Sequence, residues 1–289
     1  MSAARAVVSL AAALWLQAPP FHAETRLVVL HATVKNSRGE LVTNLDRGAF
    51  TVYEKGKRQP IVLFRRDDIP VSLGILIDNS GSMRTVRPRV EAAALAFARA
   101  SNPDDEMFVI NFADHVHVDV PFTSDRAVLE EHIARLDAIG GTAMRDAIEA
   151  GERYLGERAK RDRKALLVIT DGNDNASTAT LDGIRDAAEQ RDIVIYAIGL
   201  FRDSSMAATA HHELDQLADR TGGVAYYPAT IEAVGDVALD IARQIRQQYT
   251  IAYAPLNQAL DGSYRSIRVV AAGADRLSVR TRAGYRAEK

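Results

Sequence analysis

From Val71 onward the chain alternates short apolar runs with amphipathic stretches, and that alternation leaves few architectures open. The runs are 71–77, 107–112, 165–170, 193–198 and 224–227. Helical periodicity covers 85–100, 125–137, 143–159, 180–191, 208–221 and 231–248. In the first helical stretch Val90, Ala93, Ala94, Phe97 and Ala98 fall on one face. Apolar runs without polar alternation predict strands buried on both faces. Strands separated by helices predict an α/β fold, a doubly wound, mostly parallel sheet with helices on both faces. Residues 116–120 alternate with period two, which predicts a short antiparallel edge strand after a hairpin.

The two ends of the chain read differently. Strands are predicted at 26–34, 50–54 and 60–64, then again at 249–254, 264–271 and 277–281, with turns at 36–40, Lys55-Gly56-Lys57, Asp261-Gly262 and Gly273. Neither end is long enough to bury a core alone. The two are therefore expected to pair into a small antiparallel β module with the α/β domain inserted. The expected division is a signal peptide at 1–23, an N-terminal β segment at 24–66, the α/β domain at 67–248 and a C-terminal β segment at 249–289.

The signal expectation rests on Arg5, the uncharged run 7–16, and the small residues before a break at Ala18-Pro19-Pro20 and His22-Ala23. The run is shorter than the roughly 20 residues a bilayer requires. An exported protein, periplasmic or secreted, is expected, with no transmembrane span after signal removal. Lys and Arg number 36 against 38 Asp and Glu, with no polybasic run, so neither a nucleic-acid groove nor an anionic membrane surface is indicated. The absence of cysteine excludes disulfides, zinc thiolates and thiol nucleophiles.

The chemistry gathers where the apolar runs end. Asp78-Asn79-Ser80-Gly81-Ser82 follows the first run, and oxygens at alternate positions turned toward one point suit a hard cation such as Mg²⁺. Thr142 follows Gly140-Gly141, and Asp171-Gly172 follows the run 166–170. Ligands of a doubly wound sheet bind at the carboxyl ends of its strands. If the strands before Asp78 and Asp171 are neighbours, Asp78, Ser80, Ser82, Thr142 and Asp171 offer five oxygen ligands, nearly an octahedron.

Each piece also has an ordinary reading. Ser80 and Ser82 suit a helix cap, Asp171-Gly172 a strand-end turn and Asp174 a solvated loop. His115 and His117 share a strand face, but no third ligand stands at metal spacing, so a solvated hairpin is expected. The enzyme alternative is a hydrolase using Ser80 or the metal. Asp78 and Ser82 around Ser80 depart from the Gly-x-Ser-x-Gly elbow, and no lysine-bearing phosphate loop is visible.

Taken together, Asp78-x-Ser80-x-Ser82, Thr142 and Asp171-Gly172 closely resemble the metal-ion-dependent adhesion site of von Willebrand factor type A domains, over roughly residues 67–248. The flanks resemble a bacterial exported group of such proteins, through Gly39, Val42, Leu45, Phe50, Val52, Glu54, Gly56 and Gln59, then Tyr249, Tyr253, Pro255, Gly262, Tyr264, Arg265, Arg282, Gly284 and Tyr285. The resemblance implies a Rossmann-like fold and a binding module rather than an enzyme. Asp78, Ser80 and Ser82 would hold Mg²⁺, with Mn²⁺ or Ca²⁺ as alternatives, and Thr142 and Asp171 would join directly or through water. A partner protein's Asp or Glu carboxylate would take the open position, in adhesion or assembly. The resemblance also implies coupling of that exchange to the last helix, 231–248, which runs into the C-terminal β segment.

Overall fold

The computed structural model describes residues 26–133, 140–172, 174–201, 205–273 and 276–288. The expected signal segment and the end of the helix expected at 125–137 lie outside them. In chain order, the first end gives β1 (Val28–Lys35), β2 (Phe50–Glu54), β3 (Lys57–Gln59) and β4 (Ile61–Arg65). The middle gives β5 (Val71–Asp78), α1 (Arg87–Ala100), β6 (Glu106–Phe112), β7 (Val116–Thr123), α2 (Arg126–Ile133), α3 (Met144–Arg158) and β8 (Arg163–Thr170). It continues with α4 (Leu181–Arg191), β9 (Ile193–Gly199), α5 (Ser205–Thr221), β10 (Ala225–Tyr226) and α6 (Val234–Arg246). The last end gives β11 (Tyr249–Tyr253), β12 (Tyr264–Ala271), β13 (Ser278–Arg280) and β14 (Gly284–Arg286).

The central sheet has the order β10-β9-β8-β5-β6-β7, parallel except for β7, which runs antiparallel to β6. Every residue of β5 and β6 is buried, as apolar strands covered on both faces should be. β7 is the edge, and its Asp119 and Pro121 are the residue types that discourage pairing with another chain. Helices α1, α2 and α6 pack on the face of Leu73, Ile75 and Ile77, while α3, α4 and α5 pack on that of Leu76, Leu166 and Val168. On α6 the buried residues Val234, Ala238, Ile241, Ala242 and Ile245 recur at helical spacing. Gly74 leaves room for the crossing side chains: a Cβ there would lie 2.4 Å from the Phe108 ring and 2.6 Å from Leu166. After β7 the chain returns to the other side of β5 to lay down β8, so strand order reverses between β5 and β8.

The two ends of the chain build two four-stranded antiparallel sheets, β13-β1-β11-β4 and β14-β12-β2-β3, each with strands from both termini. Val28, Leu30, Val52, Tyr249, Ile251, Tyr253 and Val269 share the core between them. Glu54 ties the two sheets together, its Oε2 accepting from the Tyr253 hydroxyl at 2.8 Å and the Tyr285 hydroxyl at 2.9 Å. The short strands β3 and β14 were not expected from sequence. Lys57-Arg58-Gln59 reads as turn and loop by composition, and only pairing with β2, after Lys55 and Gly56 turn the chain at positive φ, makes it a strand.

One core residue conflicts with its surroundings. Glu152 of α3 is 1% exposed, and neither carboxyl oxygen has a hydrogen-bond partner among the described residues. Burial, opposed by Arg191 and reinforced by Glu149, pushes its carboxyl up to about 9. The folded state then holds a proton that the unfolded chain releases near the ordinary Glu value, so this group's contribution falls as pH rises from about 4.5 to about 9. Glu152→Leu should raise the urea unfolding midpoint at pH 7, by roughly 3 kcal/mol at 1.36 kcal/mol per pH unit, with the gain shrinking toward pH 4.5. An equal gain at both pH values would contradict this account.

Candidate metal centre

The site begins at the strand-order reversal. β5 and β8 pair in parallel with Ile77 opposite Ile169, so Asp78 and the Thr170-Asp171-Gly172 turn emerge side by side at the carboxyl end of the sheet. Asp78 is 1% exposed. Its Oδ1 accepts from the Ser80 N–H at 2.8 Å, and its Oδ2 from the Thr170 hydroxyl at 2.6 Å. Burial pushes its carboxyl up, the Ser80 and Thr170 hydrogen bonds oppose that, and the Asp171 carboxylate adds repulsion. Among the described residues no basic side chain forms an ion pair with it.

The remaining oxygens gather around this carboxylate. Ser80 Oγ lies 3.1 Å from Ser82 Oγ, and the Ser82 hydroxyl donates to Asp171 Oδ1 at 2.7 Å. Thr142, 3% exposed, packs against the turn after β8, its Oγ1 3.2 Å from where a Cβ on Gly172 would lie. The fold thus brings all five sequence-predicted residues to one end of the sheet. Neither serine caps a helix through its side chain: Ser80 precedes the short 81–85 helical turn without a side-chain cap bond, and α1 starts later at Arg87.

Loop-to-loop hydrogen bonds hold this arrangement. The Gly81 N–H donates to Gly140 O at 3.2 Å, joining the serine loop to the glycine loop. Asn175 Oδ1 accepts from the Thr142 N–H at 2.9 Å, and the Asn175 N–H returns a bond to Thr142 O at 3.0 Å. Asp114 Oδ1 accepts from the Gly141 N–H at 2.7 Å. Sequence reasoning missed Thr170, Asn175 and Asp114 in these roles. Only Thr170 left a signal, a hydroxyl ending an otherwise apolar strand. Asp174 is a correction: its side chain is 1% exposed and anchors the loop rather than facing solvent. Burial alone would raise its carboxyl, but bonds from the Arg145 N–H, the Ser177 hydroxyl and the Arg145 guanidinium hold it below the usual range.

The donor set suits a hard divalent cation. It consists of two carboxylates and three hydroxyls, all oxygen, and among the described residues the buried carboxylate has no cationic partner to offset its desolvation. Among the described residues no group of three His, Cys, Asp or Glu has a metal-holding arrangement, so softer, histidine-rich coordination has no basis here.

Residues 73–173 match the family model of the von Willebrand factor type A domain. Over those residues the chain is similar to von Willebrand factor type A domains. A von Willebrand factor type A protein from Catenulispora acidiphila has the same fold over 93% of this chain and 75% of its own, with a TM-score of 0.55 at 15% identity. Proximal thread matrix protein 1 of the mussel byssus, in a structure with a zinc-occupied MIDAS motif, aligns over 67% of this chain and 50% of its own, with a TM-score of 0.54 at 17% identity. An uncharacterized protein of Synechocystis sp. is 28% identical over 166 residues, which cover 54% of this chain and 39% of that protein. The chain thus spans well under half the length of this curated relative. Type A domains commonly serve protein–protein interaction. No described helix of this chain is long and apolar enough to cross a membrane.

Thr170→Val tests how the α/β domain holds its buried carboxylate. Loss of a hydrogen bond to a charged group should cost about 1.5–3 kcal/mol, read as a lower urea midpoint at pH 7. An unchanged midpoint would mean that the 2.6 Å contact contributes nothing.

Proposed function

We propose that this protein is an exported, divalent-cation-dependent protein-binding module. Asp78, Ser80 and Ser82 hold Mg²⁺ directly, and Thr142 and Asp171 join directly or through water. Bound there, the ion supplies a Lewis-acid position that accepts an Asp or Glu carboxylate from a partner protein. The observation that carries this reading is the buried Asp78 carboxylate, linked through Ser80, Ser82 and Asp171 into an all-oxygen set with no basic side chain paired to Asp78. Mn²⁺ or Ca²⁺ would suit the same oxygens, and the mussel protein's MIDAS motif is occupied by zinc.

The binding reading has the better support over a hydrolase. Ser80 Oγ is bonded to Ser82 Oγ, and no described hydrogen bond joins it to a histidine. A nucleophilic serine needs an adjacent base to take its proton. We further propose that 1–23 is a cleaved signal peptide, that 67–248 is the binding domain, and that 24–66 and 249–289 form its mount. α6 passes through only Gln247 and Gln248 before β11, so a shift of α6 on ligand exchange would reach the mount directly.

Thermal unfolding in EDTA and in excess Mg²⁺ tests the centre. Mg²⁺ at about 100 times its Kd should add about 2.7 kcal/mol, seen as a rise in Tm that Asp78→Ala abolishes. A Mg²⁺ response that survives Asp78→Ala would place the ion elsewhere.

A further inference from the structure

A cavity of about 220 Å³ opens beside the metal centre in the β6–β7 hairpin, with Asn79, Asn111, Asp114, His117 and Asp119 in its lining. Asn111 is 3% exposed. Asp119 Oδ2 accepts from the Asn111 backbone N–H at 3.2 Å and from its Nδ2 at 2.8 Å. An ionised carboxylate only accepts, so this contact fixes which end of the amide faces Asp119. Asn111 Oδ1 is left buried with no hydrogen-bond partner among the described residues. Such an unmet acceptor keeps its full desolvation penalty.

The same cavity carries two carboxylates, Asp114 and Asp119, and among the described residues neither forms an ion pair. An unmet buried acceptor beside two uncompensated negative charges calls for a cation that also donates hydrogen bonds. A metal ion fits less well: the lining has no Ser or Thr hydroxyl like those of the metal centre, and no described group of three His, Cys, Asp or Glu stands in a metal-holding arrangement. An ammonium with three N–H donors or a guanidinium with five does fit.

We propose that this cavity receives a lysine or arginine side chain of the partner, from the same segment whose carboxylate meets the ion. The proposal rests on the metal-dependent reading above and adds the partner's second determinant. The geometry sets the spacing. Asp78 pairs in register with Phe112, next to Asn111, and Asn79 leads from the metal loop into the cavity lining. Neighbouring strands lie about 4.8 Å apart, and an extended partner chain advances about 3.3 Å per residue. The acidic and basic residues therefore stand within about three positions of each other. Asp114 also holds the Gly141 N–H, so an occupied cavity braces the loop that carries Thr142.

Two measurements separate the cavity from the metal reading. In EDTA, n-butylammonium and n-propylguanidinium should shift the Asn111 side-chain amide and His117 resonances of ¹⁵N-labelled protein saturably, while butyrate should not. Asp119→Asn should weaken that response at least tenfold, and Asp114→Asn, at an exposed position, serves the same end if the first variant does not fold. No saturable shift, or an equal one in the folded variants, overturns the proposal. In Mg²⁺, synthetic peptides with one Asp and a Lys, Arg or Leu one to four positions away complete the test. A basic residue at the right spacing should tighten Mg²⁺-dependent binding about tenfold over Leu, and Asp119→Asn should erase that gain. Mg²⁺-dependent binding indifferent to the basic residue overturns the proposal and leaves the metal reading intact. Cation shifts in EDTA with no Mg²⁺-dependent peptide binding would support the cavity and overturn the carboxylate reading instead.

Discussion

The carboxyl end of the sheet is organised around a carboxylate that folding has buried. Removing Asp78 from water costs several kcal/mol unless opposite charge or good donors replace the lost solvent. The Ser80 N–H and the Thr170 hydroxyl replace part of it, and the nearby Asp171 makes the remaining deficit larger. The surrounding loops are fixed independently of any ion. Gly81 is tied to Gly140, Thr142 to Asn175, Gly141 to Asp114, and the 174–177 turn to the start of α3 through Asp174. Oxygens held this way would need little reorganisation to receive a cation.

At the opposite end of the sheet the same strands meet the antiparallel sandwich. Arg163, the first residue of β8, is buried and donates to Ile245 O at the end of α6 and to the Gln248 side chain. Gln248 in turn donates to the Tyr196 hydroxyl at 3.0 Å and to Thr33 Oγ1 of β1 at 3.3 Å. His31 of β1 sits in this seam, where burial, then Arg163 and Arg282, lower its imidazole to about 3 and keep it neutral. Arg282 adds a bridge to Asp192 at 3.0 Å. β8 therefore begins in the seam and ends one residue before Asp171, a rigid connection between mount and site.

The legible parts of this chain are those where burial dictates composition. The middles of β5, β6, β8 and β9 had to be apolar because helices cover both faces, and the amphipathic helices had to present one face to them. The antiparallel module from the two ends was legible through the β-branched and apolar run of β1 and the turn residues that bound the other strands. The five oxygen residues stood out because hydroxyls and carboxylates interrupt apolar runs at strand ends. Thr170 was read only as the end of a strand, since a side chain that serves another side chain leaves no spacing pattern. Asp174 was misread because turn composition does not distinguish a solvated aspartate from one enclosed by Arg145 and Ser177. β3 and β14 exist through pairing, which composition alone does not encode.

The chain enters and leaves the α/β domain through neighbouring strands: β4 ends where β11 begins, with Arg65 paired to Thr250. A partner pulling on the carboxyl end of the sheet would load both connections at once and in the same direction. The two strands would then move together rather than slide past each other, and resistance would fall on the five-residue ladder between β11 and β1, from Val28–Tyr253 to Ala32–Tyr249. Hydrogen bonds drawn along the strand axis fail together rather than one by one. Such a mount would tolerate tension at the point of attachment far better than one held by a single connecting chain.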